Sequence, residues 1–236
     1  MISSFLLFGT FILLGVPAAV ILLPLAIITR NVTPLYNAAR FIVRVGYALA
    51  RIQVQIEGRE FIPANTACIF MANHVSNLDP PALIPNIPGR TSAFLKHSLM
   101  RIPLLGYGLK LAKFIPVERS GDKESAQESV AAAGALLAEG VHITTFVEGT
   151  RSPDGRLLPF KKGPFYLATE TGAPCIPVSI WGTETMMGKG SLRVHPGTAH
   201  VIFHPPLYPA NYETREDLMI SVRLAIASGL PVWMRD

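Results

Sequence analysis

The sequence predicts an α/β fold: an αβα sandwich with a mainly parallel, mixed central sheet, plus an N-terminal membrane-associated helical segment. Three observations support this prediction. The first 51 residues are strongly apolar and contain no acidic residue. From residue 52 onward, short strand-like runs alternate with helical ones, which is typical of α/β sandwiches. Two polar groups, at 73–79 and 148–151, directly follow strand-like runs. We therefore divide the chain into hydrophobic membrane-anchoring helices at 1–51 and an α/β domain at 52–236.

The strand-like runs are short and apolar, as expected for strands that are buried on both faces. They lie at 52–56, 67–71, 92–95, 114–117, 142–147, 175–180, 192–195 and 199–203. Helical runs lie at 80–84, 104–112, 123–138, 164–171 and 213–228. The run 123–138 is the clearest, because alanines fill its centre and Gly140 can end it. Ligands of parallel sheets bind beyond the carboxyl ends of the strands, so we expect functional residues there.

The apolar start of the chain predicts two membrane-associated helices. Residues 5–28 form a nearly continuous apolar run, which at about 1.5 Å per residue can cross a hydrocarbon core of roughly 30 Å. A signal peptide is not expected, because no basic residue precedes this run. A second helix is predicted at 34–51. The only charged residues before Glu57 are four arginines, at positions 30, 40, 44 and 51.

Two membrane arrangements of these helices remain open. One is a single span followed by an interfacial helix, and the other is a two-helix anchor that dips into one leaflet. A core helix of a soluble protein is the third alternative for the first run. Because basic residues favour the cytoplasmic side, we expect a cell-membrane protein whose second domain lies on the cytoplasmic face.

The composition favours a membrane surface and anionic ligands. Half of the 236 residues are hydrophobic, 16% are charged, the net charge is +5 and the pI is about 9.4. This charge suits anionic lipids, phosphorylated ligands or nucleic acid. Nucleic acid is disfavoured, because the basic residues are scattered and no aromatic–basic binding motif occurs. The two cysteines, Cys68 and Cys175, lie in apolar runs and are interpreted as buried hydrophobic residues. The sequence contains no metal-ligand cluster, and we expect no metal or cofactor.

The most informative motif places Asp79 five residues after His74. This offset does not put two side chains on one face of a helix or strand, so the chain must turn between them if they act together. The preceding apolar run and the two prolines after Asp79 indicate such a strand–turn–helix. A carboxylate at one imidazole nitrogen leaves the other nitrogen free as a general base. The alternatives are a helix cap for Asp79, a core position for His74 and a turn role for Ser76. An acylated Ser76 is less favoured, because no Gly-x-Ser-x-Gly elbow surrounds it.

A second polar group follows the strand-like run 142–147. It comprises Glu148, Gly149, Thr150 and Arg151, with Lys161 further along the chain. Glycine lets the backbone approach a ligand closely, and hydroxyl, guanidinium and ammonium groups suit a phosphate monoester. Glu148 could hold Arg151 in place or accept from a ligand hydroxyl. Arg119 follows another strand-like run. The alternatives are a solvated Pro-Asp-Gly turn and an ion pair between Arg119 and Glu118.

Four blocks in this order resemble those of the glycerolipid acyltransferases, most closely the 1-acyl-sn-glycerol-3-phosphate (lysophosphatidate) acyltransferases. They are Asn73, His74, Ser76 and Asp79 in the first, Phe114, Ile115 and Arg119 in the second, Glu148 to Arg151 in the third, and Ile176, Pro177 and Val178 in the fourth. Residues 116–118 lengthen the usual spacing of the second block. The resemblance covers roughly residues 52–210 and is more specific than any single block.

The resemblance implies a role for each matching residue. His74 would be the general base and Asp79 its orienting partner, with Asn73 and Ser76 supporting them. The acceptor and its phosphate would contact Arg119, Glu148, Gly149, Thr150, Arg151 and Lys161. Lys96 is a possible oxyanion or phosphate contact, although the following His97-Ser98 departs from the usual family pattern.

The resemblance also implies a reaction for the domain at 52–236. A fatty acyl group would move from acyl-CoA or acyl carrier protein to the sn-2 hydroxyl of lysophosphatidic acid, giving phosphatidic acid at the membrane lipid bilayer. One alternative is another acceptor, such as glycerol 3-phosphate, another lysophospholipid or an acylated amino acid. A second alternative is a lipid or thioester hydrolase that uses the same His–Asp pair on water.

Overall fold

The computed structural model of the protein describes residues 1–117 and 123–235 and reproduces the predicted alternation of elements. The helices are α1 (Ile2–Thr29), α2 (Thr33–Leu49), α3 (Asp79–Leu83), α4 (Leu105–Leu111), α5 (Lys123–Ala138), α6 (Gly163–Thr171), α7 (Thr183–Met186) and α8 (Arg215–Ser228). The strands are β1 (Ile52–Glu57), β2 (Ile69–Ala72), β3 (Thr91–Lys96), β4 (Ile115–Val117), β5 (His142–Phe146), β6 (Cys175–Trp181) and β7 (Gly197–Phe203).

These strands form one sheet in the order β1-β7-β6-β2-β5-β3-β4. The run from β6 to β4 is parallel throughout. β7 pairs antiparallel with β6 and parallel with β1, so these two strands point the other way. The sheet is therefore mixed and mainly parallel, as the alternation of strand-like and helical runs predicts.

The central strand β2 shows why the molecule has three layers. All four of its residues are buried, and successive side chains of a strand point to opposite faces. Phe70 and Ala72 join a core cluster that includes residues of α1, α2 and α3. Ile69 and Met71 join a second cluster, which includes residues of α5, α6 and α8. Helices thus cover both faces of the sheet, and the αβα sandwich is confirmed.

Helices α1 and α2 form a hairpin against one side of this sandwich. Gly46 permits their close approach, because a Cβ atom there would lie 2.9 Å from the Phe11 ring. α1 also touches the α/β domain near both ends: the Val194 amide donates to the Ser4 hydroxyl, 2.8 Å away, and Leu23 packs beside Gly108. Its remaining surface is largely exposed and apolar. In the described part of the chain, α1 is the one helix long and apolar enough to cross a membrane.

The predicted strand at 192–195 is wrong. Its backbone amides bond elsewhere, because Val194 donates to the Ser4 hydroxyl and His195 donates to the Met186 carbonyl at 2.9 Å. The apolar residues that alternate in this segment do not share one buried face, because Val194 is buried while Leu192 is exposed. The segment is an irregular connection between α7 and β7.

Candidate active site

The loop between β2 and α3 brings His74 and Asp79 together. Nδ1 of His74 lies 2.7 Å from Oδ2 of Asp79. The same oxygen accepts from the backbone amides of Val75 and Ser76, at 2.7 and 2.8 Å, while Oδ1 accepts from the Thr183 hydroxyl. Asp79 is fully buried and makes no helix-capping bond, so its carboxylate faces back toward the loop. Because this carboxylate accepts, Nδ1 of His74 carries the ring proton and Nε2 offers a lone pair.

The ring and backbone of His74 are held by β5 and the turn after it. The ring stacks on Phe146, with centroids 4.1 Å apart and planes inclined by 24°. The His74 amide donates to Oε1 of Glu148 at 3.0 Å, and its carbonyl accepts from the Ser152 amide at 2.7 Å. The side chain retains 16% exposure. The imidazole is therefore oriented by its neighbours and still reachable from solvent.

Asn73 and Ser76 brace the loop from inside the protein. The Asn73 side chain donates to the Ile180 carbonyl at 2.8 Å and accepts from the Ile180 amide at 2.7 Å, which ties the loop to β6. The Ser76 hydroxyl donates to the Met187 carbonyl at 2.7 Å and accepts from the Leu78 amide. Both residues are buried. This burial fits the supporting roles that the resemblance implies and argues against an acylated Ser76.

Glu148 faces backbone amides and not the open site. Oε1 accepts from the amide of His74, and Oε2 accepts from that of Leu158 at 3.3 Å. The side chain is buried, and this burial raises the pKa of Glu148 to about 7. Glu148 therefore does not bond to Arg151 in this structure, because its oxygens accept from amides that join two loops. Its contact with the acceptor stays a prediction.

The turn after β5 presents a guanidinium group. Gly149 adopts a φ of 69°, and its amide donates to the Phe146 carbonyl at 2.9 Å. A Cβ atom on Gly149 would lie 3.1 Å from Cγ of Lys161, so the lysine stem crosses this turn. Nη1 of Arg151 is buried without a hydrogen-bond partner among the described residues. An unpaired buried donor is costly, and an anionic ligand oxygen would satisfy it.

Of the remaining three predicted residues, the structure describes Thr150 and Lys96. Thr150 is half-buried within the turn. Lys96 is exposed at the carboxyl end of β3, beside β5, and no hydrogen bond joins it to another described site residue. Arg119 lies outside the described residues. Within the described ranges, no group of three or more His, Cys, Asp or Glu side chains is arranged to hold a metal ion.

The sequence that builds this site matches a known family model. The model is described as acyltransferase and matches residues 53–181, a little over half of the chain. The human 1-acyl-sn-glycerol-3-phosphate acyltransferase alpha is 30% identical over 203 residues, which are 85% of this chain and 70% of that protein. The chain belongs to the acyltransferase family.

Plant relatives and a solved structure are also similar to this family member. The chloroplastic 1-acyl-sn-glycerol-3-phosphate acyltransferase BAT2 of Brassica napus is 35% identical over 159 residues, 66% of this chain and 45% of that protein. The chain spans about half the length of the plant relatives that it matches. The fold is similar to the crystal structure of the 1-acyl-sn-glycerophosphate (LPA) acyltransferase PlsC from Thermotoga maritima, with a TM-score of 0.77 and 27% sequence identity. That similarity covers 96% of this chain and 94% of the other, so it extends over nearly the whole fold.

Two further residues of this family member support the His–Asp loop, although neither belongs to a motif that the sequence analysis identified. The Thr183 hydroxyl donates to Asp79, and the Tyr47 hydroxyl donates to the Leu78 carbonyl at 2.7 Å. Thr183 follows the carboxyl end of β6, so the strand-end rule could have indicated it. Tyr47 lies on α2, and nothing in the sequence relates this helix to the loop.

The raised pKa of Glu148 predicts a pH-dependent stability. Between about pH 4.5 and 7 the native protein retains a proton that the unfolded chain has lost. The contribution of Glu148 to the free energy of unfolding therefore falls as pH rises through this window and levels off above it. We expect Glu148→Gln to remove this fall. The free energy of unfolding of the variant relative to that of the wild type should rise by at most about 3 kcal/mol from about pH 5 to pH 8. Denaturant unfolding at the two pH values measures this change.

The control for this measurement is Glu170→Gln, which removes an exposed carboxylate from α6. Its pH curve should run parallel to that of the wild type. A Glu148→Gln curve that is also parallel to the wild type would contradict the assignment of the raised pKa to Glu148.

Proposed function

We propose that this family member is a 1-acyl-sn-glycerol-3-phosphate acyltransferase. It moves a fatty acyl group from a thioester, acyl-CoA or acyl carrier protein, to the sn-2 hydroxyl of lysophosphatidic acid and forms phosphatidic acid. One observation carries the proposal: an imidazole whose Nδ1 is held by a buried aspartate lies beside a turn with an unpaired buried guanidinium nitrogen. A base and an anion-binding group in this proximity suit an acceptor that carries both a hydroxyl and a phosphate.

In the proposed reaction, Nε2 of His74 takes the proton of the acceptor hydroxyl as its oxygen attacks the thioester carbonyl. The tetrahedral intermediate then expels the thiolate, which takes the proton from the imidazolium. Asp79 keeps the ring oriented and stabilises its positive charge. General base catalysis of this kind contributes roughly 10²- to 10⁴-fold. A thioester is already activated, so this scheme needs no covalent enzyme intermediate.

Arg151 and Lys161 would bind the acceptor phosphate and thereby place the hydroxyl at His74. Arg119 has the same proposed role. Lys96 is the proposed donor to the oxyanion, because it is the last residue of β3, at the carboxyl edge of the sheet, and a developing negative charge needs such a donor. The Gly149 amide is not available for this task, since it bonds within its own turn.

The helical hairpin would hold the site at a membrane. α1 contacts the α/β domain at Ser4 and again at Leu23, so the domain runs along most of the helix. A span across the bilayer would carry this domain into the hydrocarbon. We therefore favour a hairpin that dips into one leaflet, and the arginines of α2 favour the cytoplasmic leaflet of the cell membrane.

The decisive experiment offers purified protein in phosphatidylcholine vesicles a labelled acyl-CoA and one of three acceptors: lysophosphatidic acid, monoacylglycerol or none. Formation of phosphatidic acid with the first acceptor, and little product with the second, supports the proposal. Acyl carrier protein loaded with the same chain tests the other donor. Release of free fatty acid without acceptor, at a rate equal to transfer, would identify a hydrolase and refute the proposal.

Replacement of Arg151 tests the phosphate role. Arg151→Ala removes charge-assisted hydrogen bonds to the acceptor, each worth about 1.5–3 kcal/mol. We therefore expect kcat/KM for lysophosphatidic acid to fall roughly 10- to 100-fold, while the weak transfer to monoacylglycerol changes little. Arg59→Ala is the control, because Arg59 is exposed beyond the opposite edge of the parallel strands. Undiminished preference for the phosphorylated acceptor in Arg151→Ala would contradict the assigned role.

A further inference from the structure

A cavity lies at the amino edge of the parallel strands, away from the His–Asp loop. Its volume is about 430 Å³, within the roughly 300–1,000 Å³ range of small-ligand sites. Val141, directly before β5, lines the cavity, whereas Glu148 follows β5 at the other edge. Seven residues of extended chain separate these positions by roughly 23 Å. The cavity is therefore distinct from the candidate active site.

The rim of this cavity is basic. Arg30, Arg90 and Lys113 line it, from the end of α1, the start of β3 and the start of β4. Lys113 forms an ion pair with Glu139, and both side chains are about half exposed. In the described part of the chain, no carboxylate lies within ion-pairing distance of Arg30 or Arg90. Two guanidinium groups at one rim suit a phosphate.

Helix α2 holds the rim in place. The Tyr36 hydroxyl donates to the Thr91 carbonyl at 3.1 Å and accepts from the Thr91 amide at 3.0 Å. The Arg40 guanidinium donates to the carbonyls of Ile87 and Gly89, at 2.6 and 2.8 Å. These four hydrogen bonds fix the segment that leads into Arg90. The rim is thus built by the helical hairpin and is not a free surface loop.

The wall of the cavity continues into the apolar surface of α1. Ala26 and Ile27 line the cavity, and Ile27 and Ile28 are 49% and 80% exposed. Tyr107, a residue type that favours the interface between lipid and water, is also exposed at the lining. A ligand that fits both surfaces has an anionic head at the arginines and an acyl chain along α1.

We propose that this cavity binds the phosphate of an anionic phospholipid from the bilayer. The lipid head lies between Arg30 and Arg90, and its acyl chain follows the exposed side of α1 into the leaflet. Such a lipid would fix the depth of the hairpin and the angle of the α/β domain above the membrane. This lipid site takes no part in acyl transfer, so lipid binding is measured in an experiment that does not depend on the reaction.

The test uses phosphatidylcholine vesicles that contain a photoreactive phosphatidylglycerol with a diazirine near its head group. After illumination, mass spectrometry maps the labelled residues. Label is expected within 26–36 and 107–113. A photoreactive phosphatidylcholine in matched vesicles should label these segments roughly tenfold less. The same pattern is expected in His74→Ala, so failure of the proposed reaction and failure of this site are distinguishable.

Two variants and one control define the site. Arg30→Gln with Arg90→Gln should lower cavity labelling roughly tenfold, since each basic residue near an anionic surface adds severalfold in affinity. Ala112→Phe keeps the charges and fills the cavity, and it should lower labelling similarly. Arg59→Gln with Arg193→Gln removes two exposed arginines elsewhere, one of them near the start of α1. This control should keep its labelling.

Three results would overturn the proposal. Equal labelling by the two lipids would show no selectivity for the anionic head. An equal loss in the control pair would show bulk attraction only. Displacement of the label by glycerol 3-phosphate or inorganic phosphate in solution would assign the cavity to a soluble phosphate instead of a lipid.

Discussion

Replacing His74 with alanine is expected to lower kcat for acyl transfer by about 10²- to 10⁴-fold, toward the background rate. The reason is that Nε2 of His74 is the proposed acceptor of the hydroxyl proton. Transfer from labelled acyl-CoA to lysophosphatidic acid measures the effect, and vesicle flotation measures membrane binding. Folding should be retained, because Asp79 keeps the amides of Val75 and Ser76 and the hydroxyl of Thr183 as donors.

The matched control is His195→Ala. His195 is exposed in the connection between α7 and β7, so this variant loses an imidazole without touching the His–Asp loop. It should transfer at the wild-type rate. Wild-type activity in His74→Ala would remove His74 from the reaction, whereas an unfolded His74→Ala protein would be recognised by a lost cooperative unfolding transition.

The proximity of His74 and Asp79 could be predicted from the sequence because it depends on local geometry. An offset of five residues demands a turn, and the prolines after Asp79 start a helix that supplies one. The strand-end rule then places His74 and Glu148 at one edge, although 74 residues separate them. In the structure the His74 amide and a Glu148 oxygen are 3.0 Å apart. The residue offset and the strand-end positions thus predict that His74, Asp79 and Glu148 lie close together.

The roles of Glu148, Thr183 and Tyr47 depend on tertiary packing and could not be predicted. A carboxylate in a polar motif is expected to meet a cation or ligand, yet Glu148 accepts from two loop amides. Thr183 and Tyr47 each contribute one hydrogen bond across more than 30 positions of the chain. Such a bond leaves no periodic signal. The error at 192–195 also depends on tertiary contacts, because the amides of Val194 and His195 bond to Ser4 and Met186 instead of to a neighbouring strand.

Replacing Asp79 separates the two tasks of its carboxylate. Asp79→Ala leaves the amides of Val75 and Ser76 and the Thr183 hydroxyl without an acceptor in a buried place. We expect a loss of about 3–5 kcal/mol in the free energy of unfolding, together with a loss of transfer as large as that of His74→Ala. Denaturant unfolding and the transfer assay measure the two effects. Glu170→Gln, which loses an exposed charge, should change neither.

Asp79→Asn removes the negative charge of the carboxylate while keeping most of its hydrogen bonds. Its amide oxygen can still accept from Nδ1 of His74 and the neighbouring amides, while its NH₂ group can donate to the Thr183 hydroxyl, which is able to rotate. The free energy of unfolding should therefore fall by only about 1–2 kcal/mol. The imidazolium formed during transfer loses its negative partner, so kcat should still fall by a factor of about 10² or more. Equal kcat in Asp79→Asn and the wild type would show that Asp79 only shapes the loop, and stabilisation of the charged ring would then have to come from elsewhere.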